Sequence, residues 1–540
     1  MTRTALLLTV TIGALACVAL AAQSVKPGAA APASFLTSDR CIACHNGLTT
    51  ASGQDVSIGF DWRATLMANS SRDPYWQGSI RRETIDHPES TAEIEDTCAR
   101  CHMPMERYTA KIQGRQAQVF AQLPFKSRRD GGSLAEDGVS CALCHQLSAG
   151  HLGEAATFTG NFTIDPPDAQ GNHHEYGPYQ IDHGHMLVMK TSTEGFEPTT
   201  AAHIRKSELC ASCHTLITET LGPGGKQIGR LPEQVPFQEW LHSDYKDTES
   251  CQSCHMPVVS EPVSITRVFG EPRQLARHVF VAGNFFIQRM LMRYRDALDV
   301  AALPQELDAA AARTERYLAT QAARLTLGEV RVEGGRLETT VAIENLGGHK
   351  LPTAYPSRRV WIHFTVSDSG GRVVFESGRV NPDGSIAGND NDADKTKFEP
   401  HYAAIRDSGE VQIYESIMGD ANGGVTTGLL NASQYVKDNR LLPKGFDKHT
   451  AEPDVAVHGA AAEDADFTGG GDRVRYSVDV AGASGPFTVD VELLYQPIGF
   501  RWAQNLKAYS QASEPRRFTE YYDAMAGGTT ATLARATSRK

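Results

Sequence analysis

The chain has 540 residues, enough for two or three domains. Its 52 Lys and Arg residues are outnumbered by 64 Asp and Glu residues, which gives a formal net charge of -12. A chain this acidic is not expected to bind nucleic acid, whose phosphates attract basic surfaces. After residue 22, no apolar run approaches the about 20 residues that cross a bilayer, so no further membrane span is expected.

The first 34 residues have the pattern of an export signal followed by a linker. Arg3 precedes an apolar run from Ala5 to Leu20, and small residues follow at Ala19 to Ala22. This layout predicts a cleaved signal peptide over residues 1–22, with an uncleaved signal anchor as the alternative. The Pro- and Ala-rich stretch over residues 23–34 is typical of a flexible linker. We expect an exported protein, in the periplasm or on the outer surface of a bacterium.

One short motif, Cys-x-x-Cys-His, occurs five times between residues 41 and 255. The copies are Cys41, Cys44 and His45; Cys98, Cys101 and His102; Cys141, Cys144 and His145; Cys210, Cys213 and His214; and Cys251, Cys254 and His255. In c-type haem attachment, the two thiols bond the porphyrin and the histidine becomes an axial ligand of the iron. A zinc site or a dithiol centre would leave the residue after the second cysteine free to vary. The sequence therefore predicts five covalent haem c groups, which use ten of the 11 cysteines.

The second axial ligand of each iron separates an electron carrier from an enzyme, because an open position can bind a substrate. Four histidines lie near motifs and are predicted as distal ligands: His87, His203, His242 and His278, the last at the start of a helix. The fifth ligand is left open between Met67 and a histidine of the cluster His173, His174, His183 and His185, from which we choose His174. On a strand, His183 and His185 would share one face.

The pattern of apolar residues changes after the fifth motif. Residues 284–325 recur at helical spacing and predict a connector of two helices, with Phe285, Phe286, Met290 and Leu291 before Pro304 and Leu307, Leu318 and Leu325 after it. Beyond residue 325 the period becomes two, as at Val360, Ile362, Phe364 and Val366. This alternation predicts an immunoglobulin-like or fibronectin-like β-sandwich over residues 326–540.

Two short stretches of this last region suggest further sites. A Gly-Gly-His sequence ends at His349, which a loop between strands would carry onto a haem; the alternative is an ordinary rigid turn. Asp390, Asp392 and Asp394 alternate in an acidic run, with oxygen ligands that suit calcium. The run lacks the full pattern of an EF-hand, and a solvated polar loop is the alternative.

Several stretches resemble the multihaem cytochromes c related to the tetrahaem electron carrier of ammonia oxidisers, the cytochrome c-552 and c-554 type. The resemblance covers residues 36 to about 290 and is carried by the Cys-His-Met-Pro endings at His102–Pro104 and His255–Pro257 and by the Trp-containing stretches Asp61–Ser71 and Gln238–Tyr245. It implies packed haems, electron transfer and a distal ligand at His242, after Trp240. Met67 stands after Trp62, where that family would have histidine. The pentahaem ammonia-forming nitrite reductases share the haem count but typically carry a Cys-x-x-Cys-Lys motif, which does not occur here.

The sequence thus predicts an α+β multidomain protein. A loop and short-helix multihaem domain spans residues 35–283, a helical connector residues 284–325, and a β-sandwich with a C-terminal extension residues 326–540. We expect an electron carrier between redox proteins, with the sandwich as a docking or anchoring module and no catalytic residue assigned. The alternative is an oxidoreductase that acts on a small nitrogen or sulfur compound at one open iron.

Overall fold

Short helices separated by long loops form the region that carries the motifs. The protein is described here from a computed structural model, which covers residues 34–125, 132–268 and 270–540. The helices of this region are α1 (Ser38–Ile42), α2 (Ile58–Arg63), α3 (Pro74–Asp86), α4 (Thr91–His102), α5 (Pro104–Ile112), α6 (Val119–Gln122), α7 (Cys141–Cys144), α8 (His183–Ser192), α9 (Glu208–Ala211), α10 (Pro236–Leu241) and α11 (Cys251–His255). Two small sheets lie between them: β1 (His173–Gly177) pairs in parallel with β2 (Phe196–Thr200), and β3 (Leu216–Leu221) pairs antiparallel with β4 (Gln227–Gln234). The predicted signal peptide and all but the last residue of the predicted linker lie outside the described residues.

Local sequence explains the longest of these helices, α3. The Asp73 side chain accepts hydrogen bonds from the backbone N–H groups of Tyr75 (2.8 Å) and Trp76 (3.4 Å), and Pro74 occupies the first helical position. Both features are typical helix starts. The helix ends at Asp86, two residues before Pro88. Proline disfavours a helical conformation in the residue before it, which explains this end.

Two helices follow the motif region, as predicted, and both bury one face. They are α12 (Phe285–Arg293) and α13 (Pro304–Tyr317), and Phe285, Phe286, Met290, Leu291 and Leu307 are buried. The predicted helical stretch extends too far along the chain. Leu325 lies on the strand Ala323–Leu327, which pairs with another strand of the C-terminal part. His278 also differs from the prediction: it lies in a turn before α12 and not at a helix start.

Two sheets packed face to face form the C-terminal part and confirm the predicted β-sandwich. The strands are β5 (Ala323–Leu327), β6 (Arg331–Glu333), β7 (Arg336–Asn345), β8 (Arg359–Ser367), β9 (Val373–Ser377), β10 (Ala404–Ile405), β11 (Ile413–Asp420), β12 (Val425–Thr426), β13 (Ala432–Asp438), β14 (Gly471–Asp479), β15 (Thr488–Gln496) and β16 (Ala531–Arg539). One sheet has the order β10-β14-β7-β5 with β6 beside β7, and the other has the order β12-β11-β8-β15-β16 with β13 beside β11 and β9 beside β8. Phe364 of β8 stacks on Tyr476 of β14 between the sheets, with ring centroids 3.8 Å apart. Three helices accompany the strands: α14 (Asp390–Ala393), α15 (Phe500–Leu506) and α16 (Ser513–Asp523).

The motif region and the sandwich share one hydrophobic core. Helix α16 packs on α3, where Tyr75 contacts Phe518 with ring centroids 5.0 Å apart, and Arg81 forms an ion pair with Glu514 at 3.0 Å. Residues Phe35–Lys540 form one compact unit, so the predicted boundaries at residues 283 and 325 lie inside it and stay predictions. Among the described residues, no helix is long and apolar enough to cross a membrane.

Candidate haem-binding site

Each Cys-x-x-Cys-His motif forms a helical turn. The backbone N–H of the motif histidine donates to the carbonyl oxygen of the first cysteine at 3.0 Å for His45, 3.0 Å for His145 and 2.9 Å for His214. The other two motifs close α4 and α11, which end at His102 and His255. One helical turn brings both thiols and the imidazole to the same side, which is the arrangement that haem attachment requires. All ten motif cysteines are free thiols.

All five motifs line one connected cavity of about 1940 Å³. Every cysteine and every histidine of the motifs contributes to its wall. Cavities that hold one small ligand usually measure about 300 to 1,000 Å³, so this one is large enough for several prosthetic groups.

Thiols of different motifs touch one another inside the cavity. The thiols of Cys41 and Cys141, of Cys101 and Cys213, and of Cys210 and Cys251 lie close enough to shift each other's pKa. The first motif is thus next to the third, and the fourth is next to both the second and the fifth. Cys144 of the third motif also lies near Cys210 and Cys213 of the fourth, so the five motifs form one connected set. The motifs would therefore hold their haem groups close to one another.

Four of the five motif histidines are held so that one ring nitrogen remains for a metal. The Nδ1–H of His45 donates to the Ile265 carbonyl at 2.7 Å and that of His102 to the Ser70 carbonyl at 2.9 Å. His145 donates in the same way to Tyr176 at 2.6 Å, and His255 donates to Val281. These bonds fix the neutral tautomer in which Nε2 carries the lone pair, as in metal-bound imidazoles.

Burial keeps these imidazoles neutral. It lowers the pKa of His102 to about 4 and the pKa of His214 to about 4. The pKa of His214 is lowered further by the nearby His255, Arg358 and His349. Since only a neutral imidazole binds a metal, the cavity holds the motif histidines in the form that ligates iron at physiological pH.

Two further histidines face motif histidines across the cavity. The His278 ring centroid lies 6.4 Å from that of His145, with ring planes 20° apart. The His349 ring centroid lies 6.2 Å from that of His255, with ring planes 18° apart. A transition metal bonds imidazole nitrogen at about 2 Å, which separates the centroids of two axial imidazoles by about 6 Å. Both spacings therefore suit an iron bound between two histidines.

The tautomers of His278 and His349 agree with this role. The Nδ1–H of His278 donates to the Ala276 carbonyl at 3.1 Å, and that of His349 donates to the Lys350 carbonyl at 3.0 Å. Burial and the neighbouring His145 lower the pKa of His278 to about 3. His278 is thus neutral near pH 7, and both rings leave Nε2 available to a metal.

The other three histidines chosen near motifs do not line the cavity. His242 lies beside Phe446 on the far side of α10, and its Nδ1 is bonded to the Gln238 carbonyl at 2.8 Å. The Nε2 of His203 is bonded to the Leu147 carbonyl at 2.9 Å. His87 is only 6% exposed, and its Nε2 has no hydrogen-bond partner among the described residues, so this buried nitrogen still suits a ligand.

The candidates for the fifth distal ligand separate clearly. Met67 lines the cavity, whereas His174 does not and is bonded through Nδ1 to Thr199 at 2.9 Å. His183 and His185 lie on helix α8 and not on a strand, so they do not share a face; only His185 lines the cavity. His174 was chosen from this cluster; Asp182, three residues before His185, is a residue type that favours helix starts and is the local signal for α8.

An aromatic contact that the sequence did not indicate supports the second motif. Trp76 of α3 stacks on the His102 imidazole with ring centroids 4.3 Å apart and planes within 4°. This packing fixes the rotation of the His102 ring, whose tautomer is set by its hydrogen bond to the Ser70 carbonyl.

Buried acidic and phenolic groups share the cavity wall. Burial raises the pKa of Glu233 to about 7 and the pKa of Asp73 to about 6. The hydroxyl oxygens of Tyr75 and Tyr355 lie 3.5 Å apart on the same wall. The two carboxyl groups, with pKa values near 7 and 6, are able to exchange protons near pH 7.

The acidic run predicted to bind calcium does not converge on one point. Asp392 forms a buried ion pair with Arg359 at 2.8 Å, and Asp394 accepts a hydrogen bond from the Thr396 hydroxyl at 2.8 Å. The Arg359 guanidinium is thus paired with the Asp392 carboxylate, which was predicted as a calcium ligand. The geometry therefore gives the calcium prediction no support.

Among the described residues, one other set of ligand-type side chains clusters: His401, Asp464 and Asp472. Gln412 (2.8 Å) and Asn439 (3.1 Å) both donate amide N–H groups to Nδ1 of His401. Each amide oxygen accepts a backbone N–H, which fixes these orientations. Nε2 must therefore carry the proton, which it donates to Asp464 at 3.1 Å, and the cluster is a hydrogen-bond network.

Taken together, the residues of the cavity fit covalent haem c. Free thiol pairs on helical turns, neutral imidazoles with Nε2 available, and opposed imidazole pairs at iron-binding separation all belong to that group and not to zinc, which would take thiolates as ligands.

Comparison with known proteins agrees at the level of the fold, which is that of a multihaem cytochrome c. No protein-family model matches the sequence, and no curated protein matches it. The chain resembles the crystal structure of a penta-heme cytochrome c552 from Thermochromatium tepidum with a TM-score of 0.52, at 15% sequence identity, over 94% of this chain and 100% of that one. The relation to the tetrahaem carrier of ammonia oxidisers stays a prediction.

Proposed function

We propose that the protein is an exported pentahaem cytochrome c that relays single electrons between redox proteins. The observation that carries this proposal is the arrangement of all five motifs on one cavity, with thiols of neighbouring motifs in contact. Haem, when bound, supplies one-electron exchange at its iron. The chain would hold the groups close enough for that exchange to continue from one to the next.

The chain's own residues would keep the irons six-coordinate. His278 and His349 are the proposed partners of His145 and His255, on the spacing of their rings. Met67 and His87 are candidates at other irons, the first because it lines the cavity and the second because its Nε2 is buried without a partner among the described residues. Iron with two strong axial ligands passes electrons with little structural change, which suits a carrier.

The proposed partners are other redox proteins, met outside the cytoplasmic membrane. The predicted export signal and the net charge of -12 support this, since an acidic surface attracts a basic partner. Exposed charges attract over about 10 Å at ordinary ionic strength, so the association rate should fall as salt is added.

The test is the low-temperature electron paramagnetic resonance spectrum of the fully oxidised protein, with haem content measured on the same sample. Low-spin signals that account for five haems would support the carrier. A high-spin signal near one haem per chain that shifts when nitrite, hydroxylamine or sulfite is added would contradict it.

The second candidate is an oxidoreductase that acts on a small nitrogen or sulfur compound at one open iron. The buried Asp73 and Glu233 on the cavity wall favour it, because their raised pKa values suit proton supply to a reduced oxyanion. Glu233→Gln separates the two candidates. The variant should leave electron exchange with a partner intact but reduce any turnover of such a compound by 10²-fold or more, as is roughly typical for loss of an acid catalyst.

A further inference from the structure

Helix α8 faces the cavity without a protein core of its own. It has ten residues and none of them is buried. His185, Val188, Met189 and Ser192 recur at helical spacing and line the cavity, and Val188 is 49% exposed. A helix this short is stable mainly when its apolar face packs against other groups. The side chains of this protein cover little of that face. A porphyrin beside α8 would cover it.

The start of α8 fixes the orientation of His185. Asp182 caps the helix by accepting hydrogen bonds from the backbone N–H groups of Gly184 (2.9 Å) and His185 (3.2 Å). The same carboxylate accepts the Nδ1–H of the His185 imidazole. His185 therefore turns Nδ1 toward Asp182, and Nε2 is the nitrogen that a metal would bind.

This contact differs in kind from those of the other cavity histidines. His45, His102, His145 and His255 donate Nδ1–H to backbone carbonyls, as do His278 and His349. Among the cavity-lining histidines of the described chain, His185 alone donates its Nδ1–H to a carboxylate. A carboxylate partner makes imidazole a stronger donor to a bound metal than a carbonyl does.

We propose that His185 is the distal ligand of one haem iron and that Asp182 tunes that haem to the lowest potential of the five. The inference rests on the proposed cytochrome function. A stronger imidazole donor stabilises ferric iron relative to ferrous iron, which lowers the midpoint potential. His145 and His255 already have proposed partners, so the haem in question is that of His45, His102 or His214.

Contacts of the segment before α8 point to the first motif. The Tyr179 hydroxyl donates to the Gln274 carbonyl, and Arg273 donates to the Gln180 carbonyl at 3.2 Å. Arg273 is bonded through its backbone to Val263 at 2.9 Å, two residues before the carbonyl of Ile265 that holds His45. The segment that positions His185 is thus tied to the loop that positions His45.

The ligand is tested with His185→Ala in the full-length protein loaded with haem. Alanine is a strong helix former and should leave α8 intact. Loss of the His185 imidazole should convert one low-spin haem to high-spin, and added imidazole should restore the low-spin signal. His183→Ala is the matched control, because His183 is an exposed residue of the same helix that does not line the cavity. Unchanged low-spin signals in His185→Ala, or the same change in His183→Ala, would overturn the proposal. Conversion of a low-spin haem to high-spin in Met189→Leu, and not in His185→Ala, would also overturn it.

The carboxylate is tested with Asp182→Asn, which keeps a good helix cap but removes the charge. Loss of a partner to a metal-binding histidine changes metal affinity or activity by 10- to 100-fold, roughly, and Asp182 is exposed, so we expect the lower value. A tenfold change in the ferric to ferrous equilibrium raises the midpoint of one haem by about 59 mV in a spectroelectrochemical titration. Potentials that do not move would refute the role of Asp182.

Two readouts separate this inference from the proposed function. If His185→Ala fails to retain its haem, His185→Met restores a ligand and should raise the potential of that haem, because thioether ligation raises it. A wild-type protein with fewer than five covalent haems would contradict the proposed function itself. Five haems with His185 variants that are silent would contradict only the assignment of His185.

Discussion

At the scale of single residues, the axial positions decide what the irons do. The ring centroids of His278 and His349 lie 6.4 and 6.2 Å from those of motif histidines, a separation that suits two imidazoles on one iron, whereas His242 lies outside the cavity. We therefore expect His278→Ala and His349→Ala each to convert one low-spin haem to high spin. His242→Ala, which removes an imidazole of equal size, should leave the electron paramagnetic resonance spectrum unchanged. The reverse pattern would show that the opposed rings are packing contacts.

Glu233 gives the cavity a dependence on pH. Burial raises the pKa of this side chain from its ordinary value of 4.5 to about 7, so the folded protein binds a proton there that the unfolded chain has lost. The stability of the fold therefore falls as pH rises through this range. This loss of stability is smallest below pH 4.5 and largest above pH 7.

Glu233→Gln should remove this dependence. Between pH 4.5 and 8, the free energy of unfolding should fall by about 3 kcal/mol more in the wild type than in the variant, on the scale of 1.36 kcal/mol per pKa unit. Denaturant titrations at several pH values measure it, with Glu333→Gln, an exposed residue on β6, as the control. Parallel pH profiles for wild type and Glu233→Gln would contradict the account.

At the scale of elements, the loop from β7 to β8 brings His349 to the motif region. Glu239 of α10 accepts the backbone N–H of Lys350 at 3.1 Å and forms an ion pair with Arg440 at 2.9 Å. The Nζ of Lys350, itself fully buried, lies 2.8 Å from Asp438. Buried charges that are paired on both sides of a contact are costly to separate, so this network holds the loop against α10.

The same loop approaches α10 at Gly348. A Cβ at this position would lie 3.3 Å from Trp240 and 3.4 Å from Tyr245, which is tighter than ordinary contact. The branched side chain of Gly348→Val should push the loop outward and weaken the ligand at His349, giving a partial high-spin signal. Gly527→Ala, which meets no atom within 4 Å, should be silent. A wild-type spectrum for Gly348→Val would show that the loop tolerates displacement without loss of the ligand.

The sequence predicted the elements with strong local signals and missed those set by tertiary contacts. The motif turns, α12, α13 and the alternating strands followed from spacing alone, because each pattern is local. His242 lies outside the cavity, because its nearness in sequence to the fifth motif does not decide the side of α10 on which it lies, and its role as a ligand stays a prediction. His185 was one of four histidine candidates for the fifth ligand, and what separates it from the others is the helix capped by Asp182 and a cavity that no local pattern shows.

At the scale of the whole molecule, the sandwich and the motif region depend on each other. The buried Glu83 carboxylate of α3 accepts the backbone N–H groups of Leu429 (2.9 Å) and Leu430 (3.3 Å), and α16 covers α3. A chain that ends at residue 325 would leave Glu83 and Glu239 buried without these partners or exposed to water. Unpaired buried groups of this kind cost several kcal/mol.

Truncation at residue 325 should therefore reduce haem content and increase protease sensitivity. Absorption spectra and limited proteolysis, with the full-length chain prepared in parallel, measure both. A truncated protein that keeps five haems and resists protease would indicate a separable module, as the predicted boundary implies.

The most direct test of the central claim is the mass of the intact chain after denaturation, measured together with its iron. The account predicts five covalently attached haems on every mature chain and one iron for each. A denatured chain that releases its haem, carries fewer than five, or contains zinc at the motifs would contradict it.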